Sequence, residues 1–197
     1  MSESPTTTGA HLADPAPLGL GAFALTTFVL SVVNAEIIPL EAEPVVFGLA
    51  LAYGGIAQFG AGMWEFAKGN TFGATAFCSY GGFWVSFWYL TGHTDLSSAG
   101  NAVNDGIGLY LIAWAIFTLY MTVAATRVNV AVLAVFVLLT ITYVLLAIGE
   151  FTETSGWTNS GGWVGILTAI AAWYASFAGV TNFTYGRAMV PVVPLGR

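Results

Sequence analysis

The stretch GNTFGATAFCSYGGFW, residues 69 to 84, decides the fold class of this chain. It mixes small side chains with aromatic ones, and it belongs to an uncharged run that extends from Lys68 to Asp95. A helix that crosses a lipid bilayer needs about 20 consecutive residues of this kind. The stretch therefore predicts a membrane-spanning helix, and Asn70 or Thr71 is placed to cap its first turn.

The composition supports a membrane protein. Hydrophobic residues make up 57% of the chain and charged residues 7%, whereas about a quarter of a soluble domain is charged. Four Lys and Arg against ten Asp and Glu leave no basic surface for nucleic acid, so we expect no such partner. A single cysteine, Cys78, offers neither an internal disulfide nor a metal site, and we expect no cofactor and no metal.

Charged residues divide the chain into six uncharged intervals long enough to cross a bilayer. The last interval, 154–186, is too short for two helices and a turn, so it predicts one helix preceded by a Gly- and Ser-rich segment. The sequence predicts an all-α membrane protein with a six-helix domain at 14–186, a mobile tail at 1–13 and a C-terminal tail at 187–197. The six transmembrane helices are predicted at about 16–35, 44–66, 71–91, 106–126, 128–149 and 161–183.

The basic residues set the orientation of this arrangement. In the six-helix topology Lys68, Arg127, Arg187 and Arg197 all fall on one side, and seven carboxylates fall on the other. Lys and Arg are retained on the cytoplasmic side of membranes. We therefore expect both termini to be cytoplasmic, in an integral, multi-pass protein of the plasma (inner) membrane.

Polar residues recur at helical spacing inside two of the predicted spans. They either form hydrogen bonds between helices or line a narrow polar path, and the pattern alone leaves both interpretations open. Tyr80 also has two open interpretations, a packing residue and a functional residue. A phenol inside a membrane needs a hydrogen-bond partner, and lipid does not supply one. The polar residues in these stripes are Thr27, Ser31 and Asn34, which follow Phe23 in helix 1, and Gln58 and Glu65 in helix 2.

The predicted spans lack the groups that intramembrane chemistry requires. They contain no lysine for a retinal Schiff base, no pair of histidines and no cluster of carboxylates, and His93 lies at the outer end of the third span. We therefore expect that the protein is not an enzyme.

Four segments resemble the acetate uptake transporter family, also called the GPR1/FUN34/YaaH family. The long segment at 53–84 is the specific part of this resemblance, and the shorter pieces alone would mean little. The segments are DPAPLGLGAFALTT at 14–27, YGGIAQFGAGMWEFAKGNTFGATAFCSYGGFW at 53–84, LLAIGE at 145–150 and YGRAMVP at 185–191.

The resemblance implies a plasma-membrane transporter of acetate and, in some members, succinate. It also implies a hexameric ring in which each protomer has its own pathway. Family motifs place a hydrophobic constriction at Phe23, Tyr80 and Leu139, with Leu138 as an alternative to Leu139. The first position of the family's asparagine-proline motif is Asp14 here, which is a departure from the pattern.

The physical chemistry of the permeant limits the mechanism. Acetate is an anion at neutral pH, and the predicted spans offer it no Lys or Arg. The path must then use hydroxyls, amides and positive helix ends. A channel and a proton-coupled carrier both remain open, and Glu65 is either a proton carrier or an ion-pair partner of Lys68. The candidate residues that contact substrate along the pathway are Thr27, Ser31, Asn34, Gln58, Glu65, Asn70 and Thr71.

Two other classes of function fit the same pattern. One is a pore for a small neutral solute such as ammonia, water or urea, which needs an uncharged polar lumen. The other is a membrane scaffold that transports nothing, whose partners are lipid and other copies of the chain. Flux measurements on reconstituted protein distinguish these classes.

Overall fold

The computed structural model describes residues 12–100 and 102–196, so most of the predicted tail at 1–13 lies outside the described residues. Within this part of the chain the structure consists of long helices joined by short connections. The long helices are α1 (Ala16–Asn34), α2 (Val45–Lys68), α3 (Thr71–His93), α4 (Ala102–Ala125), α5 (Val130–Thr152) and α6 (Ser155–Tyr185).

The helices have the dimensions and surface of membrane spans. All except α3 are long and apolar enough to cross a membrane, and α3, with its Gly, Ser and Thr content, is long enough at about 35 Å. Large apolar side chains face outward from the bundle, for example Leu109, Val123 and Phe177. An all-helical, multi-pass membrane protein is therefore confirmed.

Local capping interactions define the ends of two central helices. The Asn70 side chain accepts a hydrogen bond from the Gly73 amide at 3.2 Å, and Asn129 accepts one from the Val132 amide at 2.8 Å. Asn70, rather than Thr71, is thus the cap of α3. Gly69, with a φ of +76°, ends α2 in the left-handed conformation and turns the chain into α3.

Helix α6 begins at Ser155, earlier than the expected start at 161. The Gly- and Ser-rich segment before residue 161 is helical because it packs closely on the end of α1. The Asn159 amide donates to the Ala35 carbonyl at 2.8 Å, and a Cβ on Gly162 would clash with the α1 backbone. Small residues here permit close helix contact, so they extend the helix instead of forming a loop.

Helix α2 contains a turn of π-helix at Ala52–Ala57. Gly54 in this turn contacts the ring of Trp84, where a Cβ would lie only 2.9 Å from the indole. Such turns are frequent at functional sites because they re-aim the residues that follow. The next residue on the chain, Gln58, is buried inside the bundle.

The six helices form a ring around an aromatic core. Helix α1 packs against α2 and α6, α5 lies between α4 and α6, and α2 pairs with α3. The α3 and α4 backbones barely meet, and aromatic side chains fill the space between them, for example Tyr80 against Trp114 and Phe83 against Tyr110. Aromatic side chains therefore close the ring of helices between α3 and α4.

The two ends of the bundle differ in charge. We call the end that holds Lys68, Arg127 and Arg187 the basic end, and the opposite end, with Glu36 and Glu150, the acidic end. Helices α1, α3 and α5 start at the basic end, as the alternating topology requires.

Candidate functional site

A cavity of about 270 Å³ extends from the basic end into the centre of the bundle. Polar residues on four parts of the chain surround its mouth: Asp14, Asn70, Asn129 and Asn182. At its inner end the cavity is lined by Phe23, Tyr80 and Leu139, which we call the throat.

The helix geometry explains why the throat lies at mid-membrane depth. Helices α1, α3 and α5 all start at the mouth, and each throat residue lies seven to nine residues beyond the first residue of its helix. Such a stretch of α-helix rises about 11–14 Å, which is close to half the thickness of the hydrocarbon layer. Three residues far apart in sequence therefore meet at one level.

The throat is tightly closed. The rings of Phe23 and Tyr80 have centroids 5.6 Å apart, and each throat residue is 3% exposed. Leu139 faces the cavity, whereas its neighbour Leu138 is half-buried and outside the cavity lining of the described chain. Phe83 and Tyr143 lie beyond the throat, with ring centroids 5.5 Å apart.

A hydrogen bond holds the Tyr80 ring in this position. Its hydroxyl lies 2.9 Å from the Thr118 hydroxyl, which donates its own proton to the Trp114 carbonyl at 2.7 Å. Because a threonine hydroxyl has one proton, Tyr80 must be the donor to Thr118. The phenol thus has the partner that a buried hydroxyl requires, and the ring is directed across the throat.

Gln58 and Glu65 line the cavity from α2, as expected for one helix face. Gln58 is 1% exposed and Glu65 is fully buried. The Glu65 Oε2 atom accepts a hydrogen bond from the Asn70 amide at 2.9 Å. Within residues 12–100 and 102–196, the Oε1 atoms of both Gln58 and Glu65 lack a hydrogen-bond partner.

Lys68 pairs with Asp14, so the considered pairing of Lys68 with Glu65 is wrong. The Lys68 Nζ atom lies 2.8 Å from Asp14 Oδ1, at the rim of the cavity. Glu65 bonds to Asn70 instead, and its oxygens are not within ion-pair distance of Lys68 in the described chain. Both partners of the ion pair are partly exposed, so it contributes little to stability.

Several predicted pathway residues do not line the cavity. Thr27, Ser31 and Asn34 lie farther along α1 than Phe23, toward the acidic end, where Ser31 packs against Gly165 of α6. Thr27 is buried, and its hydroxyl lacks a partner in the described part of the chain. Thr71 is exposed beside the helix cap and does not contact the cavity as described.

The sequence analysis missed many of the residues that line the cavity, and two of them are instructive. Phe136 is 4% exposed, and its ring centroid lies 6.1 Å from that of Tyr80. It precedes Leu139 by one helical turn, so helical periodicity was a signal that could have identified it. Asn182 at the end of α6 is the second, and a lone polar residue near a helix end gives no such signal.

Three helix ends at the mouth attract an anion, whereas two carboxyl groups in the same lining, Asp14 and Glu65, oppose one. The positive ends of α1, α3 and α5 converge there, and each carries amide groups that attract negative charge. Within the described residues, neither a Lys or Arg side chain in the cavity lining nor a metal-binding group of three His, Cys, Asp or Glu occurs. The site can therefore admit a carboxylate without holding it tightly.

Two carboxyl groups near the acidic end have shifted pKa values. Burial raises the pKa of Glu43, which lies just before α2. Hydrogen bonds from the Ser97 side chain and amide lower the pKa of Asp95, which lies between α3 and α4. Glu43 is therefore easier to protonate than an ordinary glutamate, and Asp95 is harder to protonate than an ordinary aspartate.

Comparison with known proteins identifies related chains. The family model described as the GPR1/FUN34/yaaH family matches residues 2–197. Ammonia transport outward protein 2 of Saccharomyces cerevisiae is 46% identical over 179 residues, which cover 86% of this chain and 62% of that protein. The chain thus spans about three fifths of the length of this relative.

Two further matches cover nearly the full length of both chains. Succinate-acetate/proton symporter SatP of Escherichia coli K12 is 38% identical over 183 residues, covering 92% of this chain and 95% of that protein. A solved structure described as that of the bacterial acetate channel SatP is similar, with a TM-score of 0.84 and 37% identity. It covers 92% of this chain and 99% of that one.

Proposed function

Because the chain belongs to the GPR1/FUN34/YaaH family, we propose that it transports acetate and related short-chain carboxylates across the membrane. The observation that carries this proposal is the cavity of about 270 Å³ that ends at Phe23, Tyr80 and Leu139. The helix ends at its mouth attract an anion and its inner end is apolar, which matches the two ends of acetate. The names of the SatP relatives point to the same substrates, acetate and succinate.

The path through the protomer has three parts. A carboxylate enters the mouth, where the helix ends and the amides of Asn70 and Asn129 offer hydrogen bonds. It then passes Gln58, whose amide lies on the cavity wall. The methyl group meets the throat, where the rings must move apart before the permeant continues toward Thr27, Ser31 and Asn34. The absence of a tight charged site suits release, because a passage must give up what it admits.

The throat selects for small molecules with one apolar end. Its residues are large and rigid, and Tyr80 is held by its bond to Thr118. Succinate, with two carboxylates, has to place a second charge in the throat, so we expect it to move more slowly than acetate.

Glu65 is the residue that we propose for proton coupling, if transport is coupled. It is a fully buried carboxyl in the cavity wall, and Asn70 donates to one of its oxygens. Glu65→Gln keeps an acceptor for Asn70 but removes the titrating proton. A proton-coupled carrier would lose its acceleration by an acidic exterior in this variant, whereas a channel would keep its anion flux.

The proposed setting is the plasma membrane, with the basic end in the cytoplasm. This orientation follows from the retention of Lys and Arg on the cytoplasmic side. We further propose a homo-hexameric ring in which each protomer has its own path. An apolar groove on the outer face of α2 and α3, lined by Phe59, Gly82 and Tyr89, supports contact with a second copy. Native mass spectrometry in detergent tests the proposed hexamer.

A pore for ammonia is the second candidate function. It is supported by the yeast relative, which is named for ammonia transport, and by the lack of cationic side chains in the described cavity wall. A scaffold that transports nothing fits less well, since packing alone does not require a cavity with buried amides. Neither candidate function involves catalysis, and the relatives named here are a transporter, a symporter and a channel.

Flux into proteoliposomes tests the proposal. Purified protein is reconstituted, and uptake of labelled acetate, labelled succinate and ammonia is measured with and without a pH gradient. We expect acetate uptake well above protein-free vesicles, with succinate slower. Ammonia flux without acetate flux would support the second candidate, and no flux of any solute would support the scaffold.

A further inference from the structure

The C-terminal segment of the chain crosses the mouth of the cavity. Helix α6 ends at Tyr185, and Gly186, with a φ of +63°, turns the chain back over the basic end. We call residues 189–195 the strap. It is anchored on two sides of the cavity mouth by different sets of hydrogen bonds.

On one side the strap is held by α6. The Asn182 side chain accepts from the amides of Met189 and Val190, at 2.7 and 2.8 Å, and donates to the Val190 carbonyl at 2.8 Å. The Tyr174 hydroxyl donates to the Pro191 carbonyl at 2.5 Å. Four bonds from two α6 side chains therefore anchor the start of the strap.

On the other side the strap is held by the turn before α5. The Val130 amide donates to the Val193 carbonyl at 3.0 Å, and the Leu195 amide donates to the Val128 carbonyl at 3.1 Å. These two bonds flank an antiparallel pair formed by Asn129 and Pro194. This anchor has half as many bonds as the α6 anchor, and Val193 and Leu195 are exposed to solvent.

Between the anchors, the strap contacts the cavity itself. Val192 is half-buried and lines the cavity, while its neighbours Pro191 and Val193 are exposed. Val193 has a φ of +49°, a strained conformation for a β-branched residue. Strain between two anchors persists only while both hold, so it lowers the free-energy cost of releasing the weaker anchor.

We propose that the strap is a second gate of the transport path, and that permeation requires it to leave the turn before α5. The cavity then lies between two closures, the throat at mid-membrane and the strap at the basic end. Asn182 acts as the hinge anchor that keeps the strap attached to α6 while Val192 swings out of the mouth. This inference rests on the proposed transport function and adds to it the means by which the cytoplasmic side is closed.

A reversible crosslink tests the proposal. Asn129 and Pro194 form a non-hydrogen-bonded antiparallel pair, a geometry with Cα atoms about 4.5 Å apart that a disulfide spans. In a Cys78→Ser background, Asn129→Cys with Pro194→Cys is oxidised, reconstituted and assayed for acetate flux before and after reduction. We expect flux at least tenfold slower in the oxidised protein and recovery after reduction, with no such change in either single cysteine variant.

A second readout does not depend on acetate. A thiol at the cavity wall, Val135→Cys in the Cys78→Ser background, is labelled by a membrane-impermeant maleimide. Leu195→Pro removes the amide that donates to the Val128 carbonyl, at a residue outside the described cavity lining. We expect faster labelling with Leu195→Pro, because a weaker anchor on the turn before α5 exposes the cavity more often.

The two readouts separate failure of the gate from failure of the transport assignment. Equal flux in the oxidised and reduced proteins, with the disulfide verified by mass, would overturn the second gate. Labelling at an unchanged rate in Leu195→Pro would overturn it as well. If the parent protein carries no acetate but Leu195→Pro accelerates labelling, the gate stands and the substrate assignment fails.

Discussion

Replacement of Tyr80 separates the role of its ring from the role of its hydroxyl. Tyr80→Phe removes one hydrogen bond, to Thr118, and leaves the Thr118 hydroxyl bonded to the Trp114 carbonyl. A buried hydrogen bond of this kind contributes about 0.5–1.5 kcal/mol. The ring contacts with Phe23 and Phe136 remain, so we expect a small loss of stability and an unchanged size limit for the permeant.

Tyr80→Ala removes the ring as well. The ring lies within 6.1 Å, between centroids, of four other aromatic rings and is 3% exposed. Truncation of a buried aromatic side chain costs about 3–5 kcal/mol, because a cavity is left behind. That cavity lies in the throat, so we expect faster passage of larger carboxylates such as butyrate and benzoate relative to acetate.

The assay combines thermal unfolding in detergent with competitive uptake of acetate, butyrate and benzoate in proteoliposomes. Tyr80→Phe is the matched control for Tyr80→Ala. If Tyr80→Phe relaxed the size limit as much as Tyr80→Ala, the hydroxyl and not the ring would be the selective group. If neither variant changed the ratio of butyrate to acetate uptake, the throat would not lie on the path.

Two further predictions concern α2. Gln58→Leu removes a buried amide whose Oε1 has no partner in the described chain. We therefore expect the melting temperature to be unchanged or higher while acetate uptake falls. Lower stability with normal uptake would indicate a purely structural amide. Gly62→Ala places a Cβ 2.6 Å from the Cys78 backbone nitrogen and should lower the free energy of unfolding by about 1–3 kcal/mol. Gly60→Ala is the control, because a Cβ there meets no described atom of a neighbouring element within 4 Å. Equal melting temperatures of the two variants would contradict the close α2–α3 contact.

The sequence predicted the helices well because a bilayer imposes simple rules on composition. Uncharged intervals had to match the membrane thickness, and this located the ends of α1, α2, α3 and α5 to within three residues, whereas α4 begins four residues before its predicted start. The start of α6 was misplaced because Gly161 and Gly162 suggest a loop in water, while in a bundle they allow helices to touch. The π-helical turn at Ala52–Ala57 gives no compositional signal, since it depends on contacts with other helices.

The site was predicted in part. Phe23, Tyr80 and Leu139 line the inner end of one cavity, as the family motifs implied, and their function in transport stays a prediction. The polar stripe of α1 was not found in the cavity, because periodicity identifies a helix face but does not say how far along it a cavity extends. Lys68 and Asp14 are 54 residues apart in sequence, so local spacing could not reveal their pairing.

Chemical modification of the throat tests the central claim most directly. In a Cys78→Ser background, Leu139→Cys is compared with Ile141→Cys, which lies on the outer face of the same helix. Acetate uptake is measured before and after treatment with a small thiol reagent, and labelling is verified by mass. We predict that modification at 139 stops most of the uptake and that modification at 141 leaves it unchanged. Uptake that continues undiminished after complete labelling at 139 would contradict a path through the throat.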